Sequence, residues 1–187
     1  LAVGGVAARL GQLEPTVLVA ADGTVYGGRR HDKRAEIAEI RAGLPTLKAI
    51  VVVPRLGLDV DGVTTWAQAT AQPAELDVTA VPFAHPLWVL FSSGTTGTPK
   101  GIVHGHGGVV LEHLKYLGLH LDLSPQDRFC WYTTTSWMMW NFQVAGLLVG
   151  STIVLYDGSP SYPRTDGMWQ VLAQHRVNVF GAGAGYL

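Results

Sequence analysis

Apolar residues in this chain gather in short bursts whose spacing switches between extended and helical. Residues 16–21 (TVLVAA) and 50–53 (IVVV) are unbroken runs rich in β-branched side chains, the pattern of strands buried on both faces of a parallel sheet. Between them, Ala35, Ile37, Ala38 and Ile40 recur among charged residues at near-helical spacing over 32–42. Asp32 can cap that helix, and Gly43 with Pro45 ends it. A further helix over 6–10 precedes the first strand. This β, α, β succession is the unit of a layered α/β fold with a parallel sheet. From 56 to 83 the pattern weakens into a connection, with Trp66 and Ala69 hinting at a helix and Pro73 and Pro82 breaking it.

The second half repeats the alternation. An apolar strand over 86–91 runs into the polar stretch SSGTTGTPKG at 92–101, and Gly107 and Gly108 then lead into a helix over 109–121. Val110, Leu111, Leu114, Leu117 and Leu121 mark the apolar face of that helix. There follow a strand at 128–133, an apolar helix at 143–149 stopped by Gly150, and a strand at 151–156. A helix over 166–175, capped by Thr165, and a strand at 177–180 opening into GAGAG complete the chain. The expected fold is α/β, layered α/β/α, without an internal repeat.

Composition narrows the class. The 187 residues are 48% hydrophobic and 14% charged with net charge −1, which suits a globular domain able to bury a core. Balanced charge gives no general attraction for a polyanion, so nucleic acid is not an expected partner. No apolar run is long enough to span a bilayer, and the first residues lack the pattern of a signal peptide, so neither a membrane nor export is expected and the cytoplasm is the expected compartment. Cys130 is the single cysteine, which rules out an internal disulfide and reads as a small, inert core residue. His104 and His106 lack a nearby third ligand, so no metal site is expected there.

The chemistry concentrates in residues 92–101. Small residues let backbone N–H groups converge on an anion, the hydroxyls of Ser92, Ser93, Thr95 and Thr96 can donate to phosphate oxygens, and Lys100 adds a positive charge. Pro99 before Lys100 and Gly101 after it exclude the Walker A arrangement, so this is a different phosphate loop. A strand feeding such a loop is where open α/β sheets place ligands. In TTTSWMMWN (133–141), Trp137, Met138, Met139 and Asn141 could fill a core or wall an acyl pocket, with Asn141 as its polar contact. The terminal glycines lack the spacing of a dinucleotide fingerprint.

The decapeptide resembles the phosphate-binding motif of adenylate-forming, acyl-activating synthetases. Together with RLGQLEPTVLVAADGTVY, LWVLFSSGTTGTPKGIVHGHGG and TTTSWMMWNFQVAGLLVGSTIVLYDGSP it gives a nearly end-to-end resemblance to acetoacetyl-CoA synthetases, in which WMMWN is the most discriminating stretch. The resemblance implies that Ser92, Ser93, Gly94, Thr95, Thr96, Gly97 and Lys100 hold the β- and γ-phosphates of ATP. It also implies that Trp137, Met138, Met139 and Asn141 lie near the acyl group, Gly181 and Gly183 near the adenosine, and Ser161 where coenzyme A is contacted. ATP brings magnesium, coenzyme A is co-substrate and acetoacetate the acid. Residues 1–187 then form part of the large N-terminal AMP-binding domain. The mobile C-terminal domain and its catalytic lysine lie outside, so Lys100 is not that lysine, no catalytic residue is assigned here, and the chain by itself is expected to make no acyl-CoA. Leu1 at the start and the glycine-rich end likewise suggest a piece of a longer protein. Ser136 stands where the family pattern has glycine, and Gly185 where it has a polar or basic residue. The alternatives are a piece of an acetyl- or propionyl-CoA synthetase, or an inactive remnant that binds only nucleotide phosphates.

Overall fold

A computed structural model describes residues 3–92 and 99–186. They divide into two compact units, residues 3–80 with 91–92 and 99–102, and residues 81–90 with 103–186.

In the first unit, helix α1 (Val3–Leu10) passes through a short 3-10 turn, Gly11–Leu13, to Glu14, whose left-handed backbone redirects the chain into strand β1 (Val17–Ala21). Strands β2 (Gly23–Tyr26) and β3 (Arg29–Asp32) form an antiparallel hairpin closed by Gly27 and Gly28, both at positive φ, the conformation that such a tight turn requires. The sequence pattern misses this hairpin because every β3 residue (RRHD) is exposed and no apolar alternation marks it. Helix α2 (Arg34–Gly43) follows, and Asp32 Oδ1 accepts from the Arg34 N–H at 2.9 Å beside the helix start, although Lys33 rather than Asp32 occupies the capping position.

Strand β4 (Ala49–Val53) pairs parallel to β1 with Val17 beside Ala49 and Ala21 beside Val53. Strand β5 (Thr64–Thr65) adds to the far side of β4, giving the order β1-β4-β5, and helix α3 (Trp66–Ala69) begins on a Thr65–Gln68 capping box. Ile37 of α2 buries one sheet face together with Ile50, Val52, Leu18 and Ala20. On the other face Val17 and Val19 are 53% and 59% exposed, so the two-sided burial expected of this strand is not met. Only the α2 side carries a helical layer among the described residues, and β1 is an edge.

Asp22 anchors the link between the two halves of this sheet. Fully buried, it accepts from the N–H groups of Arg55 (2.7 Å), Leu56 (2.9 Å) and Leu58 (2.7 Å) just after β4. Burial by itself would raise its carboxyl, but these backbone bonds outweigh it and hold the group below the ordinary carboxylate range.

Strands β6 (Pro86–Phe91) and β7 (Gly101–Gly105) form a two-stranded ribbon. Backbone bonds from Ser92 to Lys100 and from His106 to His85 mark its two ends and show it to be antiparallel. The motif therefore joins two ribbon strands rather than a sheet strand and a helix, and a strand intervenes where the sequence leads directly toward a helix.

In the second unit, helix α4 (His106–Leu114) continues as a π-helical stretch, Lys115–His120, so the helix read over 109–121 is split in two. Strand β8 (Arg128–Trp131) leads to helix α5 (Met138–Val144), extended by a 3-10 segment Ala145–Val149 and stopped at left-handed Gly150. Strand β9 (Thr152–Ile153) is shorter than the 151–156 run suggested. Helix α6 (Gly167–Gln174) starts after Asp166 rather than Thr165, and strand β10 (Val179–Gly181) closes the parallel sheet β10-β8-β9. Phe129 is buried on one face of β8 against Leu117, Leu123, Phe142 and Ala145; the next residue, Cys130, is buried on the other against Met168 and Leu172. The expected α/β/α layering is complete here.

Candidate functional site: an anion loop and an apolar wall

The two ends of the motif are clipped together at the ribbon tip. The Ser92 N–H donates to the Lys100 carbonyl at 3.1 Å, and the Lys100 N–H donates to Ser92 Oγ at 3.2 Å. Ser92 Oγ thus uses one acceptor position, and among the described residues its own proton has no acceptor. Lys100 is exposed, and no ion pair reaches its amine among the described residues. The loop exit has a brace that the sequence did not reveal: Gln12 Nε2 donates to the Pro99 carbonyl at 3.0 Å from 87 positions away. No local pattern signals a contact of that range. Ser93, Gly94, Thr95, Thr96 and Gly97 lie outside the described residues.

The WMMWN stretch divides its side chains. Trp137, 68% exposed, precedes α5, and Met138 is also exposed, while Met139 packs against the buried cluster around Phe129 and Phe142. Asn141 is half-buried; its carbonyl accepts from the Ala145 N–H within the helix, and its side-chain amide has no hydrogen-bond partner among the described residues. Ser136 is exposed and sits 3.0 Å from Thr134 by their hydroxyls. Met139 thus lies against the core, whereas Trp137 and Met138 lie outside it.

Gly181 ends β10 beside Trp131 of β8. An added Cβ would overlap the Trp131 indole, lying 2.5 Å from both Cδ2 and Cζ3, so the packing at this position demands glycine. Trp131 in turn meets Phe142 of α5 edge-on, ring centroids 5.5 Å apart. Trp131 therefore joins the helix carrying Met138, Met139 and Asn141 to the terminal glycine segment, a link the sequence reading did not pick out. Gly183 faces open space, and Ser161 is exposed on the loop between β9 and α6.

Cys130 is buried and its thiol is pushed up to about 11 by desolvation, which leaves it inert as expected. Among the described residues no three His, Cys, Asp or Glu side chains converge as a metal-binding group. Nor is any described helix long and apolar enough to cross a membrane.

Parallel sheets layered with helices, and a Ser/Thr/Gly-rich motif whose described ends, Ser92 and Lys100, are clipped together on a β-ribbon, define at the level of class a layered α/β protein. The chain belongs to the AMP-binding enzyme family, whose model matches residues 2–183. It is 41% identical to an acetoacetyl-coenzyme A synthetase of Rhizobium meliloti, over 98% of this chain and 29% of that protein. It is 38% identical to a malonamoyl-CoA synthetase of Penicillium aethiopicum, over 97% of this chain and 28% of that protein. Among solved structures, acetoacetyl-CoA synthetase from Streptomyces lividans superimposes with a TM-score of 0.94 at 54% identity, covering 98% of this chain and 29% of that one. The chain thus spans about three tenths of the length of the relatives it matches.

Proposed function

We propose that this chain carries the phosphate-gripping loop and the acyl-facing wall of an ATP-dependent acid–thiol ligase that acts on acetoacetate. The acid's carboxylate oxygen attacks the α-phosphorus of ATP and pyrophosphate departs. The thiol of coenzyme A then attacks the acyl carbon, AMP leaves, and the thiol proton passes to solvent. Ser92, the backbone and hydroxyls of 93–97, and Lys100 would take up the charge that grows on the departing pyrophosphate. A well-placed donor of this kind is worth roughly 2.7–4 kcal/mol. ATP would carry magnesium on its own phosphate oxygens.

The observation that carries this reading is the Ser92–Lys100 clip, at which, among the described residues, the Ser92 hydroxyl has no acceptor and the Lys100 ammonium no ion pair. On the acyl side, Trp137 and Met138 would border the acid, and Asn141 would donate from its amide to a polar oxygen. Gly181 and Gly183 would pass near the adenosine and Ser161 near coenzyme A. A second reading has specific support: acetoacetate and malonamate each set a carbonyl β to the carboxylate, and relatives named for both acids match this chain. The pocket would then select that carbonyl rather than the methyl group beyond it. By itself the chain is expected to make no acyl-CoA.

The test is a chimera in which these 187 residues replace the matched segment of the Streptomyces lividans enzyme. Pyrophosphate release is measured with acetoacetate, malonamate, acetate, propionate and butyrate. Preference for acetoacetate is expected, with Lys100→Ala lowering the rate. Preference for acetate defeats the acyl assignment, and a folded chimera that releases no pyrophosphate with any acid defeats the ligase reading.

A further inference from the structure

We propose that Gln12 is a positioning residue for Lys100: its side-chain amide holds the peptide plane from which the lysine springs, and so aims the ammonium at the departing pyrophosphate. The inference rests on the ligase reading, because aiming that charge matters only where pyrophosphate leaves. Gln12, Ser92, Pro99 and Lys100 all belong to the first unit.

A lysine side chain is long and flexible, so the reach of its charge depends first on the direction of its Cα–Cβ bond. That direction is set by the two peptide planes flanking Lys100, each of them rigid. Both planes are pinned. The carbonyl of the Pro99–Lys100 plane accepts from Gln12 Nε2 at 3.0 Å, and the N–H of the same plane donates to Ser92 Oγ at 3.2 Å. The next plane is held through the Lys100 carbonyl, which accepts from the Ser92 N–H at 3.1 Å. Ser92 thus supplies two of these three bonds and Gln12 the third. Without Gln12 the first plane is held at its N–H end alone and can tilt about that bond.

Gln12 is itself firmly seated. A side-chain amide has two N–H groups, and Nε2 directs the second at the Ala8 carbonyl, 3.1 Å away and one turn back in α1. Both acceptors are carbonyls, so only the nitrogen of the amide can face them. Helix α1 is packed on α2, with Ala7 against Gly43 and Gly11 against Leu44. The brace therefore runs from Lys100 through one glutamine to the helices of the first unit, whereas the Ser92 bonds only tie the two ends of the motif to each other.

Two measurements test this. Hydrogen exchange on the 187-residue chain reads the geometry without a ligand: Gln12→Ala and Gln12→Glu should each speed exchange of the Lys100 amide by about tenfold, leaving the β4 amides unchanged. Glutamate keeps the shape of glutamine but has no N–H to donate, so it separates the hydrogen bonds from the bulk of the side chain. Pyrophosphate release with acetoacetate, measured on the chimera with the Streptomyces lividans enzyme, reads the consequence. An interaction that strengthens as charge builds on the leaving group acts on kcat rather than KM. Gln12→Ala should lower kcat about tenfold while KM for ATP moves less than about twofold, an effect smaller than the roughly 10²-fold that a misplacement of about 1 Å can cost. Gln12→Glu should match it, so the reading does not depend on one variant folding. In a Lys100→Ala background the same changes should have no further effect, because a brace that acts through the lysine then has nothing to aim. The inference falls if exchange at Lys100 does not move, if kcat is unchanged or only KM rises, or if the loss in kcat is as large with alanine at position 100 as with lysine. A folded, unaltered chimera that releases no pyrophosphate with any acid is a different failure: it removes the ligase reading, and this inference with it, whatever the exchange rates show.

Discussion

Replacing Gly181 with alanine separates two roles that the sequence could not tell apart. The new methyl carbon would overlap the Trp131 indole, whereas carbon atoms pack at about 3.5–4.0 Å. Relief requires the indole to withdraw by roughly 1 Å or more at that contact distance. That retreat is obstructed, because Phe142 meets the ring edge-on at 5.5 Å and Phe129 at 6.5 Å, and both phenylalanines are buried. Overpacking of this kind costs about 1–3 kcal/mol. The assay is urea unfolding of the 187-residue chain followed by tryptophan emission, with Gly183→Ala as control, since that position faces open space and should change stability by no more than about 0.5 kcal/mol. If Gly181→Ala is as stable as the control, Trp131 is not confined as described and the packing account of this glycine is wrong.

Asp22→Ala removes the acceptor of three backbone N–H groups, and at about 1–3 kcal/mol for each orphaned donor, partly relieved by water, the first unit should lose roughly 3–6 kcal/mol. Trp66 emission during denaturation reports this, and a loss below about 1 kcal/mol would refute the anchor. Cys130 should resist a disulfide reagent at neutral pH until the second unit opens, so labelling at the rate of a free thiol in the folded protein would contradict its burial. His113 gives a pH dependence with a definite sign. Burial beside Trp88 and Phe142 lowers its imidazole, opposed by Glu112 and aided by His104, so folded and unfolded states are both neutral at high pH and this residue contributes nothing there. Below about 6.5 the unfolded imidazole binds a proton first, and stability should fall until the folded group titrates too. His113→Leu should flatten that acid limb, and an unchanged limb in the variant would assign it to other groups.

Legibility in the sequence followed burial. β4, α2 and the start of β8 lie where apolar residues face a helical layer, so periodicity located them to within a residue or two. The β2–β3 hairpin stayed hidden because its outer strand is charged throughout. β7 was missed because Gly101–Gly105 is held by its ribbon partner rather than by an apolar pattern of its own. β1 was placed correctly but given the wrong surroundings, since an unbroken apolar run looks alike whether or not both faces are covered. At the candidate site, composition identified the loop and the WMMWN stretch, while Gln12 and Trp131 were invisible because their contacts join residues distant in sequence. Asn141 is the reverse case: that its side-chain amide has no partner among the described residues is a finding of geometry at a position the sequence had already chosen.

The wide turn at Lys115–His120 has a consequence of its own. A π-helical stretch holds more residues per turn than an α-helix, so it rotates everything downstream relative to the helix before it. Leu117 points into the interior while Leu119, two positions on, stands 81% exposed, and the Leu123 N–H returns to the Leu117 carbonyl at 2.9 Å. The surplus residue is absorbed locally, leaving α4 upstream and the approach to β8 downstream each in its own phase. Removing one residue at this point would return the stretch toward ordinary α-helical pitch, and the fully buried Leu117 is the side chain whose place such a deletion would have to preserve.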